Sequence, residues 1–172
     1  RPYQEEARSA VEHEWATGHK KTLLVLPTGT GKTIVFAKVA EDCVRQGKRT
    51  LVLAHRQELL DQAADKIETA TGLKSAVEKA EDSCLGSWYR ITVGSVQTLM
   101  RENRLKKFSK DYFGAIIVDE AHHAISTSYQ NILRYFDTAD VLGVTATPDR
   151  GDMKNLGTYF DSLAYEYSLP KA

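Results

Sequence analysis

Glycines, threonines and a lysine are grouped in the stretch LPTGTGKT at residues 26–33. Gly29 and Gly31 have no side chain, so the backbone there can turn sharply and bring its N–H groups close to an anion. Lys32 is placed to hold the β- and γ-phosphates of a nucleotide, and the hydroxyl of Thr33 is of the kind that contacts Mg²⁺. We therefore predict a phosphate-binding loop made of these residues: Thr28, Gly29, Thr30, Gly31, Lys32 and Thr33.

The stretch departs from the usual phosphate-loop pattern G-x-x-x-x-G-K-[ST], because Leu26 occupies the position of the first glycine. The alternative interpretation is a glycine-rich turn that carries a solvated lysine. An apolar run, TLLVL at 22–26, precedes the loop, and a helical pattern follows at 33–46. A strand, a glycine loop and a helix in this order favour the phosphate site, because a helix N-terminus attracts anions.

Two carboxylates stand at the end of the apolar run at 115–119, where Asp119 is its last residue and Glu120 comes next. Asp119 could hold Mg²⁺ directly or through water, and Glu120 could orient or deprotonate an attacking water, which makes Lys32 and Glu120 the catalytic candidates. The alternative is a helix start with acidic residues near its positive end, and the phosphate loop favours the catalytic interpretation. We do not expect His122 and His123 to bind a metal together, because adjacent residues on a helix point in different directions.

The elements that must position these residues follow from the hydrophobic pattern. Apolar runs without polar alternation, typical of strands buried on both faces, lie at 22–26, 50–54, 115–119 and 141–146. A fifth strand is predicted at 90–95, and the alternating segment 163–169 resembles an edge or terminal strand. Helical patterns occupy residues 3–15, 33–46, 59–67 and 129–136. This alternation predicts a doubly wound α/β fold, in which ligands bind beyond the carboxyl ends of the strands.

The composition bounds the class of protein. The 172 residues suit one domain with a real core, and 23 basic residues balance 23 acidic ones, so any basic surface must be local. No apolar run approaches the length of a membrane span, and no leader is visible, so we expect no membrane partner. Cys43 and Cys84 are expected to be reduced residues of a cytoplasmic protein. The absence of an initial methionine suggests a piece of a longer chain.

PTGTGKT followed by DEAH resembles the first RecA-like motor domain of a superfamily-two helicase of the DEAD/DEAH-like group. Further motifs keep the family order. RPYQ at 1–4 resembles the adenine-recognition motif, LAHRQELLDQ at 53–62 resembles motif Ia, ITVGSVQTL at 91–99 resembles motif Ib, and VTATP at 144–148 resembles motif III. The likeness is strongest to type I and type III restriction translocase subunits and to repair-type helicases.

The resemblance implies a RecA-like P-loop three-layer sandwich with a mostly parallel central sheet over residues 1–172. It implies ATP and Mg²⁺ as cofactors, and hydrolysis of ATP that drives movement along nucleic acid or separation of its strands, with DNA favoured over RNA. A nucleotide-gated translocase or remodeller that separates no strands is the alternative, and a P-loop phosphotransferase is a more distant one. The family pairs this domain with a second RecA-like domain, which is absent from residues 1–172.

The resemblance also implies roles for single residues. Gln4 would recognise the adenine edge, and three residues would couple the nucleotide state to contacts with nucleic acid: His122, Thr145 and Thr147. The sugar-phosphate backbone would be contacted by the residues of motifs Ia and Ib, namely Arg56, Gly94, Ser95 and Gln97. The basic segment at 101–110 is a further candidate, although a solvated helix face is favoured there.

Overall fold

The computed structural model describes residues 2–26, 31–55, 60–78, 90–146 and 150–166. The strands within these ranges are β1 (Lys21–Val25), β2 (Thr50–Ala54), β3 (Ser75–Glu78), β4 (Ile91–Ser95), β5 (Ala115–Asp119), β6 (Asp140–Thr145) and β7 (Ser162–Glu166). The α-helices are α1 (Pro2–Ala16), α2 (Lys32–Arg45), α3 (Leu60–Thr71), α4 (Val96–Leu99), α5 (Glu102–Leu105), α6 (Thr127–Tyr135) and α7 (Arg150–Tyr159), and a 3-10 helix covers Ala121–Ile125.

The seven strands form one sheet in the order β3-β4-β2-β5-β6-β1-β7, and every pairing between them is parallel. In the register, Val25 pairs with Thr145 at the ends of β1 and β6. Asp119 at the end of β5 pairs with Val144. The carboxyl ends of the central strands therefore lie along one edge of the sheet, where a parallel α/β fold binds its ligands.

Both faces of the sheet are buried, which explains why the central strands read as continuous apolar runs. Helices α1, α2 and α3 cover one face, where Leu24 and Val52 lie in the same cluster as Phe36. The other face, which carries Leu23 and Val118, packs against the side chains of α4, α6, α7 and the 3-10 helix. Each such buried aliphatic side chain contributes about 1.5–3 kcal/mol relative to an exposed one. The predicted three-layer sandwich is confirmed, with a sheet that is parallel throughout the described strands.

The strongest sequence patterns correspond to observed elements. The predicted strands at 22–26, 50–54, 90–95, 115–119 and 141–146 are present, and so are the four predicted helices, with ends that move by a few residues. The edge position expected for 163–169 is confirmed for Ser162–Glu166, whereas the last three residues of that prediction lie outside the described ranges. The described part of the chain contains no helix that is both long and apolar enough to cross a membrane.

Several short or weakly patterned segments were not predicted. β3 and α4 have four residues each, which is too short for a periodic pattern to emerge. Helix α5 lies within the basic segment 101–110, where a helix was favoured. Helix α7 has ten residues, but its sequence RGDMKNLGTY contains two glycines and few apolar side chains. It is held by burial of Leu156 within it and of Phe160 directly after it. Tertiary packing therefore stabilises α7 where intrinsic helix propensity is weak.

Candidate nucleotide and metal site

The end of the predicted phosphate loop has a backbone shape that favours glycine. Gly31 has a φ of 79° and immediately precedes α2. A Cβ atom at this position would lie 2.7 Å from Nε2 of Gln4, so a side chain at position 31 would have to displace the Gln4 amide. Helix α2 begins at Lys32, as expected, and its free N–H groups face the edge where an anion would bind. Thr28, Gly29 and Thr30 lie outside the described residues.

Lys32 lies close to the two carboxylates at the end of β5, namely Asp119 and Glu120. Its Nζ atom is 3.3 Å from Oδ1 of Asp119 and 3.0 Å from Oε1 of Glu120, and its side chain is 17% exposed. Burial by itself lowers the pKa of Lys32, but the charges and hydrogen bonds of Asp119 and Glu120 together outweigh burial, and the pKa is raised. The lysine is therefore charged at neutral pH, and the structure brings all three predicted residues into one site.

Glu120 has a strained backbone. Its φ of 53° and ψ of 58° place it in the left-handed region, and among the described residues it is the one non-glycine residue with a positive φ. Such a conformation costs about 1–3 kcal/mol and persists only when the surroundings enforce it. Its N–H donates to Oδ1 of Asp119 at 2.9 Å, and the following Ala121 is fully buried. The left-handed conformation changes the direction of the chain directly after β5, and the Glu120 carboxylate lies against Lys32.

Hard oxygen ligands suit Mg²⁺, and Asp119 and Thr33 offer a carboxylate and a hydroxyl of that kind. The carboxylate of Asp119 is 27% exposed, and Thr33 is half-buried in the first turn of α2. The described residues contain no group of three or more His, Cys, Asp or Glu side chains that could hold a metal by themselves. An ion at this site would therefore have to take its remaining ligands from phosphate and water, which is how Mg²⁺ is usually bound.

Gln4 lies in the first turn of α1, and its side-chain amide packs against Gly31 at the end of the phosphate loop. An ion pair holds α1 in place on α2. Arg8 binds Asp42 with two hydrogen bonds, of which the one from Nε to Oδ2 measures 2.5 Å. The position of Gln4 beside the phosphate loop therefore depends on contacts between α1 and α2.

The residues expected to couple the site to nucleic acid differ in their exposure to solvent. Thr145 ends β6, is 2% exposed, and its carbonyl accepts a hydrogen bond of 2.9 Å from the N–H of Leu26. His122 is exposed, and its Nδ1 lies 3.7 Å from Oε2 of Glu120. Thr147 lies outside the described residues. Thr145 and His122 thus each contact a segment of the candidate site.

The residues expected to contact nucleic acid differ in exposure. Ser95 is fully buried, accepts a hydrogen bond from the N–H of Thr98 as the N-cap of α4, and donates its own hydroxyl proton to the Thr98 side chain. Gly94 is buried in β4, whereas Gln97 is exposed. Arg56 lies outside the described residues. Of the described candidates, Gln97 is therefore the one whose side chain is accessible, and Ser95 shapes the turn that presents it.

Three aromatic side chains near the site were not recognised as a group from the sequence. The rings of His55 and His123 stack, and Tyr129 lies parallel to both. From the sequence, His123 was considered only as a metal ligand, and His55 was not considered. A signal was available, because His55 follows β2 and His123 follows β5, and adjacent parallel strands bring such residues to the same edge.

A cleft of about 740 Å³ opens beside the start of α2. Its walls are the first turns of α2 and the exposed side of α3, and the lining residues include Gly31, Lys32, Thr33, Lys66 and Thr69. The cleft adjoins the phosphate loop at the carboxyl edge of the sheet. Its position matches the place where a parallel α/β fold receives a ligand.

The parallel sheet, the phosphate loop and the acidic strand end define a RecA-like ATP-binding domain of the superfamily-two helicase group. The chain belongs to the family of the type III restriction enzyme res subunit, whose family model matches residues 1–150. Among solved structures, the Hef helicase domain of Pyrococcus furiosus superposes with a TM-score of 0.78 at 25% identity, covering 99% of this chain and 38% of that one.

Two curated relatives show how much of a longer protein this chain represents. The chain is 35% identical over 98% of its length to IRC3 of Saccharomyces cerevisiae, named as a candidate ATP-dependent helicase, and covers 26% of that protein. It is 31% identical over 90% of its length to the DNA 3'-5' translocase XPB2 of Sulfurisphaera tokodaii, of which it covers 32%. The chain therefore corresponds to about a third or less of either relative.

Proposed function

We propose that this domain binds ATP with Mg²⁺ and hydrolyses it to ADP and phosphate. We further propose that the intact protein uses the reaction to move along nucleic acid or to separate its strands. The observation that carries the proposal is the position of Lys32, within 3.3 Å of Asp119 and 3.0 Å of Glu120 at the carboxyl edge of the sheet. A phosphate-binding cation and two carboxylates with different backbone geometry are the parts that phosphoryl transfer to water requires.

Lys32 would exchange its partners when a nucleotide binds. A triphosphate offers Nζ more negative oxygen than the two carboxylates do, so we expect the lysine to turn toward the phosphates. Asp119 would then be free of this cation and, together with Thr33, would hold Mg²⁺. A bound Mg²⁺ would supply positive charge for phosphoryl transfer. Glu120 would orient the attacking water and accept its proton.

Gln4 would select the base. Its carboxamide both donates and accepts hydrogen bonds, and this pair of groups matches the N6 amino group and N7 of adenine. Guanine presents a carbonyl where adenine presents the amino group, so one pairing would be lost. The contact of the Gln4 amide with Gly31 supports the proposal, because it joins base recognition to the phosphate loop.

Nucleic acid is the proposed partner, with DNA favoured over RNA because XPB2 is named as a DNA translocase. That name also keeps translocation without strand separation as the alternative, which an unwinding assay beside a translocation assay on the intact protein would distinguish. Gln97 and Arg56 are the proposed direct contacts, with Gly94 and Ser95 supporting the turn. Thr145, Thr147 and His122 are the proposed coupling residues. A second RecA-like domain, elsewhere in the intact protein, would complete the ATP site.

We propose the cytoplasm as the location. Cys43 is a free and buried thiol, which suits a reducing compartment. Cys84 lies outside the described residues. Fluorescence microscopy of the tagged intact protein would test the location, and a signal confined to an organelle would contradict it.

The ATPase proposal is tested by two substitutions in the intact protein that should fail in different ways. Lys32→Ala removes the cation that holds the phosphates, so we expect both ATP affinity and hydrolysis to be lost. Glu120→Gln keeps the shape of the side chain but removes the base, so we expect Mg·ATP to bind and to remain unhydrolysed. Single-turnover hydrolysis and equilibrium binding of ATP, measured at several Mg²⁺ concentrations, check both expectations.

The matched controls replace an exposed residue of the same type away from the site, with Lys74→Ala for the lysine and Glu102→Gln for the glutamate. Both controls should retain wild-type ATP binding and hydrolysis, because both side chains are exposed. Wild-type ATP affinity in Lys32→Ala would contradict the phosphate-loop assignment. Hydrolysis at the wild-type rate in Glu120→Gln would remove Glu120 as the catalytic base.

A further inference from the structure

Two histidines from different segments stack face to face beside the candidate ATP site. The ring centroids of His55 and His123 are 4.3 Å apart, and their planes differ by 10°. Tyr129 forms a third parallel ring, 6.1 Å from His123 and 6.5 Å from His55. The contact therefore joins the end of β2 to the segment that follows β5, and α6 supports both.

Tyr129 anchors this group in the core, because it is 1% exposed and packs among the residues beneath the 3-10 helix. His55, by contrast, is exposed directly after β2. The His55 ring is exposed, whereas the His123 ring is partly buried and lies near the buried ring of Tyr129. A shift of the chain at His55 would therefore change the contact between the two histidine rings.

The backbone of His123 is tied directly to Glu120. The N–H of His123 donates to the carbonyl of Glu120 at 3.0 Å, within the 3-10 helix. Glu120 is the residue with the strained left-handed backbone. A displacement of the His123 ring would therefore act on a residue whose conformation depends on its surroundings.

The stack favours neutral rings. Burial lowers the pKa of His123, and the neighbouring His122 and His55 lower it further, against the opposite effect of Glu120. A neutral His123 ring avoids charge repulsion within the stack. Metal binding does not explain the pair, because stacked rings direct their nitrogens along parallel planes rather than toward a common ion, and the described residues hold no metal-binding group.

We propose that the His55–His123 stack is a positioning contact between the end of β2 and Glu120, through which nucleic-acid binding stimulates ATP hydrolysis. The inference rests on the proposed function, since it assumes an ATPase that nucleic acid stimulates. His123 is a positioning residue rather than a catalytic one, because it acts through the backbone of Glu120. The ring matters for its shape and not for its protons, so another aromatic ring at position 123 should serve.

The test uses the intact protein and measures the ATP hydrolysis rate over a titration with three probes of equal length: single-stranded DNA, duplex DNA and single-stranded RNA. The probe that stimulates the wild type most is then used for the variants. Two quantities are taken from each titration, namely the stimulation at saturation and the probe concentration at half-saturation. Loss of a direct nucleic-acid contact raises the probe concentration at half-saturation. Loss of the coupling between His55 and Glu120 lowers the stimulation at saturation.

We expect His123→Ala to reduce the saturating stimulation by about 2- to 30-fold, the range for substitutions that alter coupling between sites, with little change in half-saturation. His123→Phe should restore the stimulation to within about twofold of wild type. The double variant His55→Ala/His123→Ala should be no worse than His123→Ala, because both substitutions remove the same contact. His13→Ala, an exposed histidine on α1, is the matched control and should leave both quantities unchanged.

Two results would overturn the inference alone: unchanged stimulation in His123→Ala, or an equal loss in His123→Phe and His123→Ala when both are folded. If His123→Ala loses its native circular dichroism spectrum, His123→Gln takes its place as the variant without a ring. A wild-type protein that hydrolyses ATP but responds to none of the three probes would overturn the inference and the proposed nucleic-acid dependence together. A wild-type protein without ATPase activity would overturn the proposed function itself.

Discussion

Gly31 meets two separate requirements at the end of the phosphate loop. Its φ of 79° is costly for any residue with a Cβ atom, and the space beside it is taken by the Gln4 amide. Gly72, at the end of α3, meets only the first requirement, because its φ is 77° and no atom lies within 4 Å of the place that a Cβ would occupy. A comparison of substitutions at the two glycines therefore distinguishes the effect of backbone strain from the effect of the close approach to Gln4.

Substitution of these two glycines should have one effect in common and one that differs. Gly31→Ala and Gly72→Ala should each lower the free energy of unfolding by about 1–2 kcal/mol, the cost of a left-handed residue with a side chain. Only Gly31→Ala should also weaken ATP binding, by roughly fivefold or more, because it displaces Gln4 and disturbs its hydrogen bonds. Urea unfolding and ATP titration measure the two effects. Equal ATP affinity in the two variants would mean that Gln4 does not depend on Gly31.

At the scale of elements, α1 and α2 are held together by an ion pair with little solvent around it. The side chains of Arg8 and Asp42 are 19% and 13% exposed, and the guanidinium makes two hydrogen bonds to the carboxylate. The hydrogen bonds to Asp42 raise the pKa of Arg8, against the lowering effect of burial. Since Gln4 lies one turn before Arg8, the pair also sets how α1 meets the phosphate loop.

Arg8→Ala should therefore affect both stability and base choice. We expect the free energy of unfolding to fall by about 1.5–3 kcal/mol, as for loss of a hydrogen bond to a charged group. The preference for ATP over GTP should fall as well, because α1 loses its fixed position beside Gly31. Urea unfolding and competition between ATP and GTP check the two effects.

Arg45→Ala is the matched control for Arg8→Ala, because Arg45 is 67% exposed and its ion pair with Glu41 is long, at 3.6 Å. Such a pair contributes roughly 0–1 kcal/mol, and base choice should not change. If Arg8→Ala shows the expected loss of stability but keeps its preference for ATP over GTP, the Arg8–Asp42 pair has only a structural role.

At the scale of the whole molecule, both cores of the sandwich lie within the chain, whereas the active site is expected to be shared. Two hydrophobic clusters cover the two faces of the sheet with residues from helices on each side. IRC3 and XPB2 are about three to four times as long as this chain. The 172 residues are thus expected to fold and to bind nucleotide without supplying every group that hydrolysis needs.

The isolated chain should bind ATP and hydrolyse it about 10³–10⁵ times more slowly than the intact protein, which is the usual contribution of an arginine finger. Nucleic acid should not restore the rate of the isolated chain, because the missing groups would come from the second domain. Steady-state hydrolysis with and without nucleic acid, normalised to the fraction of chain that binds ATP, measures this. Hydrolysis by the isolated chain at the rate of the intact protein would show that it needs no second domain.

The strands, their burial and the main candidate residues could be predicted from the sequence, because the signals for them are local. An apolar run without alternation indicates a strand covered on both faces, and this held for β1, β2, β5 and β6. The glycines before Lys32 and the carboxylates at the end of β5 indicate their chemistry through residue type and spacing alone. Short or weakly patterned elements such as β3 and α7 were missed, because packing and not local preference stabilises them.

Only the tertiary structure decided which of these residues meet. In the sheet, β6 lies between β5 and β1, so the approach of Lys32 to Asp119 and Glu120 spans a strand and depends on the strand order. The stack of His55 on His123 likewise requires β2 and β5 to be neighbours, although the chain between them contains two further strands. Sequence patterns report the environment of each residue along the chain. Contacts across the sheet depend on which strands pair, and pairing is set by the packing of the whole domain.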